Sequence, residues 1–336
     1  MSVLYFIGKI IMIARIAAFT FAISAVFSVN AQSGLSFYQY VKQLEKTLVK
    51  EGSDANKTKE AFNSIKLFKK AVVVQQRQRN KVKTLDTFLP RLVNEERVSK
   101  ARSLYKEHLP LLKALEKKYH IQPRFLVALW GVANDFSDSV DGYNALSVLS
   151  SLAYANQQQD YYQQEIKATI DLLNTPALGV TEIKSNWTGK VGLFNIDSSQ
   201  YLSSYQDYNQ DGKVDIWHSV DDSFATTAKL LENIGWQEKY TWGRQVKLPK
   251  EFDRSMLEKG DYKSLSQWKA LGLTRFDNRA LPNATLTAKL VAPDGIKGRV
   301  YLTYHNFEHL LALTDSMYNA IAVGYLSNRI KYPPIK

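Results

Sequence analysis

The chain is 336 residues long, with 44 Lys+Arg against 32 Asp+Glu, a formal net charge of +12, and it is 45% hydrophobic and 12% aromatic. That composition excludes a disordered or collagen-like chain and gives room for one large core with a smaller satellite. The absence of cysteine excludes disulfides, thiolate-held zinc or iron–sulfur, thiol nucleophiles and a lipidated cysteine anchor.

Residues 1–31 hold no acid and two bases, Lys9 and Arg15, with an apolar-dominated run from Ile16 to Val29 ending in Val29-Asn30-Ala31. This is the pattern of a signal peptide cleaved near Gln32, with Met12 as an alternative translation start. The run is too short to cross ~30 Å of hydrocarbon, and Arg15 interrupts a longer anchor over Ile10–Val29. The expectation is an exported chain with no membrane anchor after cleavage. Removing Lys9 and Arg15 leaves 12 − 2 = +10. For a basic exported protein, an acidic wall polymer is a more accessible partner than nucleic acid.

From Ser36 to about Lys118 the chain is polar and Lys-rich, with apolar residues at helical spacing: Tyr38, Val41, Leu44 and Leu48, later Leu104, Leu109, Leu112 and Leu115. Asp54-Ala55-Asn56 starts a helix expected to run through Ala61-Phe62 and Ile65. The basic run Gln75–Lys83 has no interleaved aromatics for base stacking and reads as a solvated face or loop. Pro123 suits the first turn of a helix whose stretch Phe125–Val132 is apolar on nearly every face, hence buried all round. A second helical block begins at Ala145–Tyr154 and continues through Tyr161 and Glu165 to Leu173. Between Val246 and about Leu302, short apolar pieces alternate with turn formers such as Leu281-Pro282-Asn283 and Pro293-Asp294-Gly295, which predicts a small strand-rich module. Helix returns over Phe307–Ile330. The predicted organisation is a leader at 1–31, an N-terminal helical region at 32–118, a core at 119–245, a β-rich module at 246–303 and a C-terminal helical segment at 304–336 that packs with the helical domain. The class is mainly α with a small β insertion.

Nucleotide-binding glycine loops, the Gly-x-Ser-x-Gly elbow and His-Glu-x-x-His are all absent. The sharpest motif is Asp207-Tyr208-Asn209-Gln210-Asp211-Gly212-Lys213, with oxygen side chains at positions 1, 3 and 5, Gly at 6 and a backbone carbonyl at 7, as an EF-hand calcium loop opens. Position 12 is His218, a poor calcium ligand, but Asp221 follows three residues on. The expected ligands of one structural Ca²⁺ are therefore Asp207, Asn209, Asp211, the Lys213 carbonyl and Asp221.

This loop, continued through Trp217 to Asp221 and Gly235-Trp236, resembles the lytic murein transglycosylase B family. So do Ala128–Val132, Tyr143–Leu146, Trp187-Thr188-Gly189, Trp268 with Gly272-Leu273, and Ala320–Gly324. The resemblance runs in order from about Phe37 to Ile330. It implies a lysozyme-like helical core with a small β domain, a periplasmic location, an EF-hand-like calcium site, and cleavage of the β-1,4 MurNAc–GlcNAc bond to a 1,6-anhydro sugar without water. That chemistry needs one carboxylic acid at the end of the buried helix, which protonates the leaving oxygen and then acts as base while the muramyl O6 attacks C1. Relatives have Gly-Val-Glu there; this chain has Gly131-Val132-Ala133. A methyl group neither gives nor takes a proton.

Other cleft positions depart too. The family's Gly-Gln-Phe-Met-Pro-Ser reads Phe194-Asn195-Ile196-Asp197-Ser198-Ser199, an Arg run after Tyr154 reads Gln157-Gln158-Gln159, and a late Trp/Tyr-Asn-x-Ser reads Leu313-Thr314-Asp315-Ser316. Asp135, Asp138 and Asp141 are weak substitutes for the missing acid, and Glu165 matches a family acid with a structural role. Tyr154, Asn195, Tyr201 and Ser316 are the candidate sugar contacts, although each tyrosine equally suits core packing. The expected function is a lytic-transglycosylase-like protein that acts on or binds peptidoglycan glycan strands, a pseudoenzyme whose cleavage activity is lost or much reduced because Ala133 replaces the acid. The alternatives are an active enzyme with a relocated carboxylate and a non-catalytic scaffold that recruits other murein enzymes.

Overall fold

A computed structural model describes residues 35–73, 84–155, 159–175 and 182–332. The leader at 1–31, the basic run Gln75–Lys83, and Gln157 and Gln158 lie outside the described residues. The fold is mostly helical. Helices α1 (Phe37–Lys50) and α2 (Ala55–Asn63) are followed by α3 (Leu85–Leu92), α4 (Glu95–Glu107), α5 (Leu109–Tyr119) and α6 (Pro123–Asn134). After the short β1 (Tyr143–Asn144) come α7 (Ala145–Ala155) and α8 (Gln159–Leu173), then β2 (Lys184–Ser185), which pairs with β1, then α9 (Ser198–Ser204) and α10 (Val220–Asn233). The β-rich module contains β3 (Gly243–Lys247), α11 (Ser255–Lys259), β4 (Tyr262–Ser264), α12 (Leu265–Ala270), β5 (Thr274–Arg275), β6 (Thr287–Val291) and β7 (Val300–Thr303). Its strands form one antiparallel sheet in the order β4-β6-β7-β3-β5. Helices α13 (His305–Thr314) and α14 (Met317–Lys331) close the chain. Among the described residues no helix is long and apolar enough to cross a membrane.

Three apolar clusters hold these parts. The largest forms around α6, whose residues Pro123 to Gly131 are all buried. Pro123 opens that helix where its missing N–H costs nothing, and Phe125 and Trp130 meet Trp236 and Phe224 edge-on at 4.8 and 5.5 Å. Helix α14 lies against α6 with Ala320, Ile321, Ala322, Val323 and Leu326 buried. A second cluster joins Val41, Leu44, Leu48 and Phe62 of α1 and α2 to α7 and α8. The third, centred on Trp268, fills the β module.

Two helical blocks that periodicity reads as continuous are divided. The Ala145–Leu173 block becomes α7 and α8. The Phe307–Ile330 block breaks at Asp315, which takes a left-handed φ of 48°, while Ser316 caps α14 by accepting from the Asn319 N–H at 3.3 Å. Apolar spacing cannot reveal such a break, because both halves still face the same core.

Glu165 on α8 is 5% exposed and accepts from the Ser199 N–H (3.1 Å) and hydroxyl (2.6 Å), tying α8 to the start of α9. Burial pushes this carboxyl upward from its ordinary 4.5, partly countered by the two Ser199 bonds. The folded chain therefore holds the Glu165 proton more tightly than the unfolded chain, so stability falls as pH rises from about 4.5 through the folded value. Urea unfolding across that window should show the fall in the wild type and a flatter profile in Glu165→Gln.

Gly324 packs beneath Trp242, and a Cβ built there would meet the indole at 2.3 Å. Gly324→Ala is expected to lower stability by about 2 kcal/mol, read as a shifted urea midpoint, because overpacking outweighs the gain in helix propensity.

Candidate functional site

The C-terminal turn of α6 emerges at a cavity of about 730 Å³. Leu129, Val132 and Ala133 form one wall and Tyr161 and Tyr162 of α8 another, and the loop from Asn186 to Asn195 and the α13–α14 break complete it. The last carbonyls of any helix lack intrahelical partners, and here side chains supply them. Asn195, held at a left-handed φ of 49°, donates its amide to the Ala133 carbonyl at 2.6 Å and accepts from the Asn186 amide at 3.0 Å. On the far side Arg97 donates to the Gly131 carbonyl at 2.5 Å and ion-pairs with Asp135.

Asn186 organises the loop. Its side-chain oxygen accepts from the Thr188 N–H (2.8 Å), the Thr188 hydroxyl (2.6 Å) and the Lys190 N–H (3.2 Å). Gly189, at φ +92°, permits the turn. The loop carries half-buried Trp187 into the cavity wall beside Tyr161. Four aromatic side chains, Tyr161, Tyr162, Trp187 and Phe194, thus line the space.

The electrostatic centre is Lys190, whose side chain is 11% exposed and whose ammonium lies 2.6 Å from Asp315 and 3.2 Å from Asp197. Burial pushes this ammonium downward, but Asp197 and Asp315 together outweigh it, and the net shift is upward. Lys190 therefore stays charged at neutral pH. Asp197 also accepts from the Tyr161 hydroxyl at 2.7 Å, and burial followed by the Asp197 charge drives that phenol far upward, so it remains a neutral donor. Among the described lining residues Asp315 alone carries a carboxylate.

Ala133 and Asn195 line the cavity, in contact with each other. Asp135, Asp138 and Asp141 are exposed and do not line it. Asp135 takes a left-handed φ of 62° just past the helix and turns to Arg97. Tyr154 stands elsewhere, packing on Phe37 and Tyr40 and donating to the Leu35 carbonyl at 2.8 Å, so it anchors α1 rather than a sugar. Tyr201 is fully buried and donates to the Val214 carbonyl at 2.7 Å, which makes it a core residue. Ser316 caps α14, and its neighbour Asn319 lines the cavity instead. Sequence reading missed Lys190, Tyr161 and Asn186 as site residues; no local pattern marks a residue whose partners are distant in the chain.

The acidic loop folds as a turn around its own oxygens. Asp207 accepts from the Gly212 N–H (2.9 Å) and the Asp211 N–H (3.2 Å), and Asp211 accepts from the Lys213 N–H (2.8 Å) and the Asn209 amide (3.0 Å). Gln210 and Gly212 supply the left-handed backbone at φ 58° and 86°. Asp207, Asn209 and Asp211 thus bring two carboxylates and an amide together, a hard-oxygen set that suits calcium. Among the described residues no three His, Cys, Asp or Glu side chains converge as metal ligands. Buried Asp222, rather than Asp221, is the acid that latches the loop, accepting from the Tyr208 (2.9 Å) and Asp215 (3.0 Å) N–H groups. His218 turns to Asp215.

A family model described as Transglycosylase SLT domain matches residues 36–328. Membrane-bound lytic murein transglycosylase B of Escherichia coli (strain K12) is 22% identical over 216 residues, 63% of this chain and 58% of that protein, so the match spans less than two thirds of that relative's length. The structure of SltB3 from Pseudomonas aeruginosa in complex with NAG-anhNAM-pentapeptide is similar at a TM-score of 0.77 and 26% identity, covering 89% of this chain and 80% of that one. The Escherichia coli lytic transglycosylase Slt35 in complex with calcium shares the fold at a TM-score of 0.68 and 18% identity, over 87% of this chain and 92% of that one. With helices, sheet and cavity in place and the family model spanning most of its length, this chain belongs to the Transglycosylase SLT domain family.

Proposed function

We propose that this protein is an exported pseudoenzyme that binds peptidoglycan glycan strands in the cavity beneath Ala133 and does not cleave them. The observation that carries this reading is the residue at the end of α6. Ala133 lines the cavity where the resembled family places its acid, and its methyl group has no proton to exchange. The remaining lining carboxylate, Asp315, is held by Lys190 at 2.6 Å. Asp135, Asp138 and Asp141 are turned to solvent or to Arg97. Binding is supported by the cavity's size, by Trp187 and Tyr161 in its walls, and by polar groups on Asn186, Thr188 and Asn319. The solved SltB3 structures, which carry NAG-anhNAM-pentapeptide and NAG-NAM-pentapeptide, support the same class of ligand.

Sacculus digestion read by mass spectrometry separates binding from cleavage. The native protein is expected to pellet with purified sacculi and to release no soluble anhydro-muropeptides. Ala133→Glu is expected to release them, because a placed general acid contributes on the order of 10²–10⁴ in rate. Release by the native protein would assign the chemistry to another acid, and failure to pellet would remove the binding reading.

The loop fits a weak calcium site. In this reading Asp207, Asn209, Asp211, the Lys213 carbonyl and Asp221 would hold the ion, whose charge would offset the crowded carboxylates of the loop. For a site of ~10⁻⁴–10⁻³ M affinity, 10 mM calcium should stabilise the fold by about 1.4–2.7 kcal/mol. Asp207→Ala should abolish that gain. Identical melting temperatures in calcium and in chelator would refute the site.

A further inference from the structure

The β module carries a second concavity, of about 930 Å³, that shares no lining residue with the cavity under Ala133. It runs between the β3 end at Val246–Lys250, the turn at Ile296–Arg299, and Tyr325 of α14. Its place is fixed by two contacts with α3. Asp294 accepts from the Leu85 N–H at 2.7 Å, and Arg299 pairs with Asp86 at 2.5 Å. With Arg299 and Asp86 paired, the wall still carries Lys247, Lys250, Arg254 and Lys297 against the single acid Glu251. These four cations are exposed, and none makes an ion pair among the described residues.

Like charges that share a groove repel one another, and one acid, Glu251, stands among these four cations, with Lys247 also donating to the Asn278 side-chain oxygen at 2.9 Å. An aromatic side chain accompanies the charges. Phe276 is 57% exposed, and the Lys247 ammonium lies 5.3 Å from its ring centre, which presents a flat apolar face beside the cations. Phe252 adds a half-buried ring to the same wall. The occupant that fits is a narrow chain with spaced negative charges and apolar side groups. A lipid bilayer presents a broad, flat surface and does not enter a groove. A peptide bearing free carboxylates does.

We propose that this groove holds the carboxylate-bearing stem peptides of peptidoglycan, as a docking site separate from the glycan cavity. The choice of this polymer rests on the glycan-binding reading above; the demand for a carboxylate-bearing chain comes from the groove alone. The protein then grips the wall polymer through two chemistries: stacking and hydrogen bonds on the sugar, and charge on the peptide.

The test uses the full chain and a Lys250→Glu/Lys297→Glu double variant, since both positions are exposed and outside every core cluster. The first probe is poly-L-glutamate, a carboxylate chain without sugar. The wild type should bind it at low salt, and the double variant should bind about tenfold more weakly or worse, with a shallower salt dependence. Intact sacculi should show the same ranking, whereas glycan strands stripped of stem peptides by an amidase should not distinguish the two proteins. Phe276→Ser should weaken sacculus binding without changing the salt dependence. Equal binding of poly-L-glutamate by wild type and double variant overturns the groove. Binding to phosphatidylglycerol vesicles that the double variant loses, without poly-L-glutamate binding, overturns the peptide assignment in favour of lipid. Loss of sacculus binding by both proteins instead marks failure of the peptidoglycan reading, which is a separate result.

Discussion

Everything about the site follows from one constraint, the burial of α6 on all sides. The helix is buried from Pro123 to Gly131, and its last turn meets the cavity on one side through Leu129, Val132 and Ala133 and the surface at Asp135. Its terminal carbonyls there need partners, because an unmet buried acceptor costs about 1–3 kcal/mol. Arg97 and Asn195 meet that need from opposite sides. The cap depends on backbone oxygens and not on the side chain at 133. Architecture and chemistry are therefore separable at this position, and a methyl group can stand there while the cavity keeps its shape.

The opposite wall obeys a different rule. A lysine as buried as Lys190 is tolerated only with close counter-charges, and removing one partner of such a group costs about 3–5 kcal/mol. Asp197 comes from the loop before α9, and Asp315 from the break between α13 and α14. The ion pair thus joins separate segments and draws Asp315 onto the ammonium. The rest of the cavity is lined by aromatic side chains and by polar groups fixed through hydrogen bonds.

The two concavities divide the molecule by chemistry. The cavity beneath Ala133 balances its internal charges and offers stacking surfaces. The groove on the β module leaves its cations unbalanced. A net charge of +12 over the whole sequence cannot say where the excess lies. Folding places part of it in one groove.

Much of the fold was legible before any coordinates. Helical spacing in α1 and α5 marks most of the buried face, through Val41, Leu44, Leu48, Leu112 and Leu115, while Tyr38 and Leu109 stay exposed; the all-round apolar run of α6 marks its full burial, since apolar side chains largely leave water whatever they pack against. Turn chemistry likewise marked the strand-rich stretch and the acidic loop, because Pro, Gly, Asp and Asn act on their own backbone. Tyr154 and Tyr201 show the limit: residue type named them as contacts, while packing sends Tyr154 to α1 and Tyr201 to the core. The Lys190–Asp315 pair was invisible for the same reason, since it joins residues distant in the chain whose meeting depends on the packing of whole helices. The sequence alone determined that residue 133 has no proton to exchange, because that is a property of its atoms in any fold. Only the tertiary structure decided where the neighbouring aspartates point, with Asp135 turned to Arg97 and Asp315 held by Lys190, because reach and direction are properties of the packed backbone.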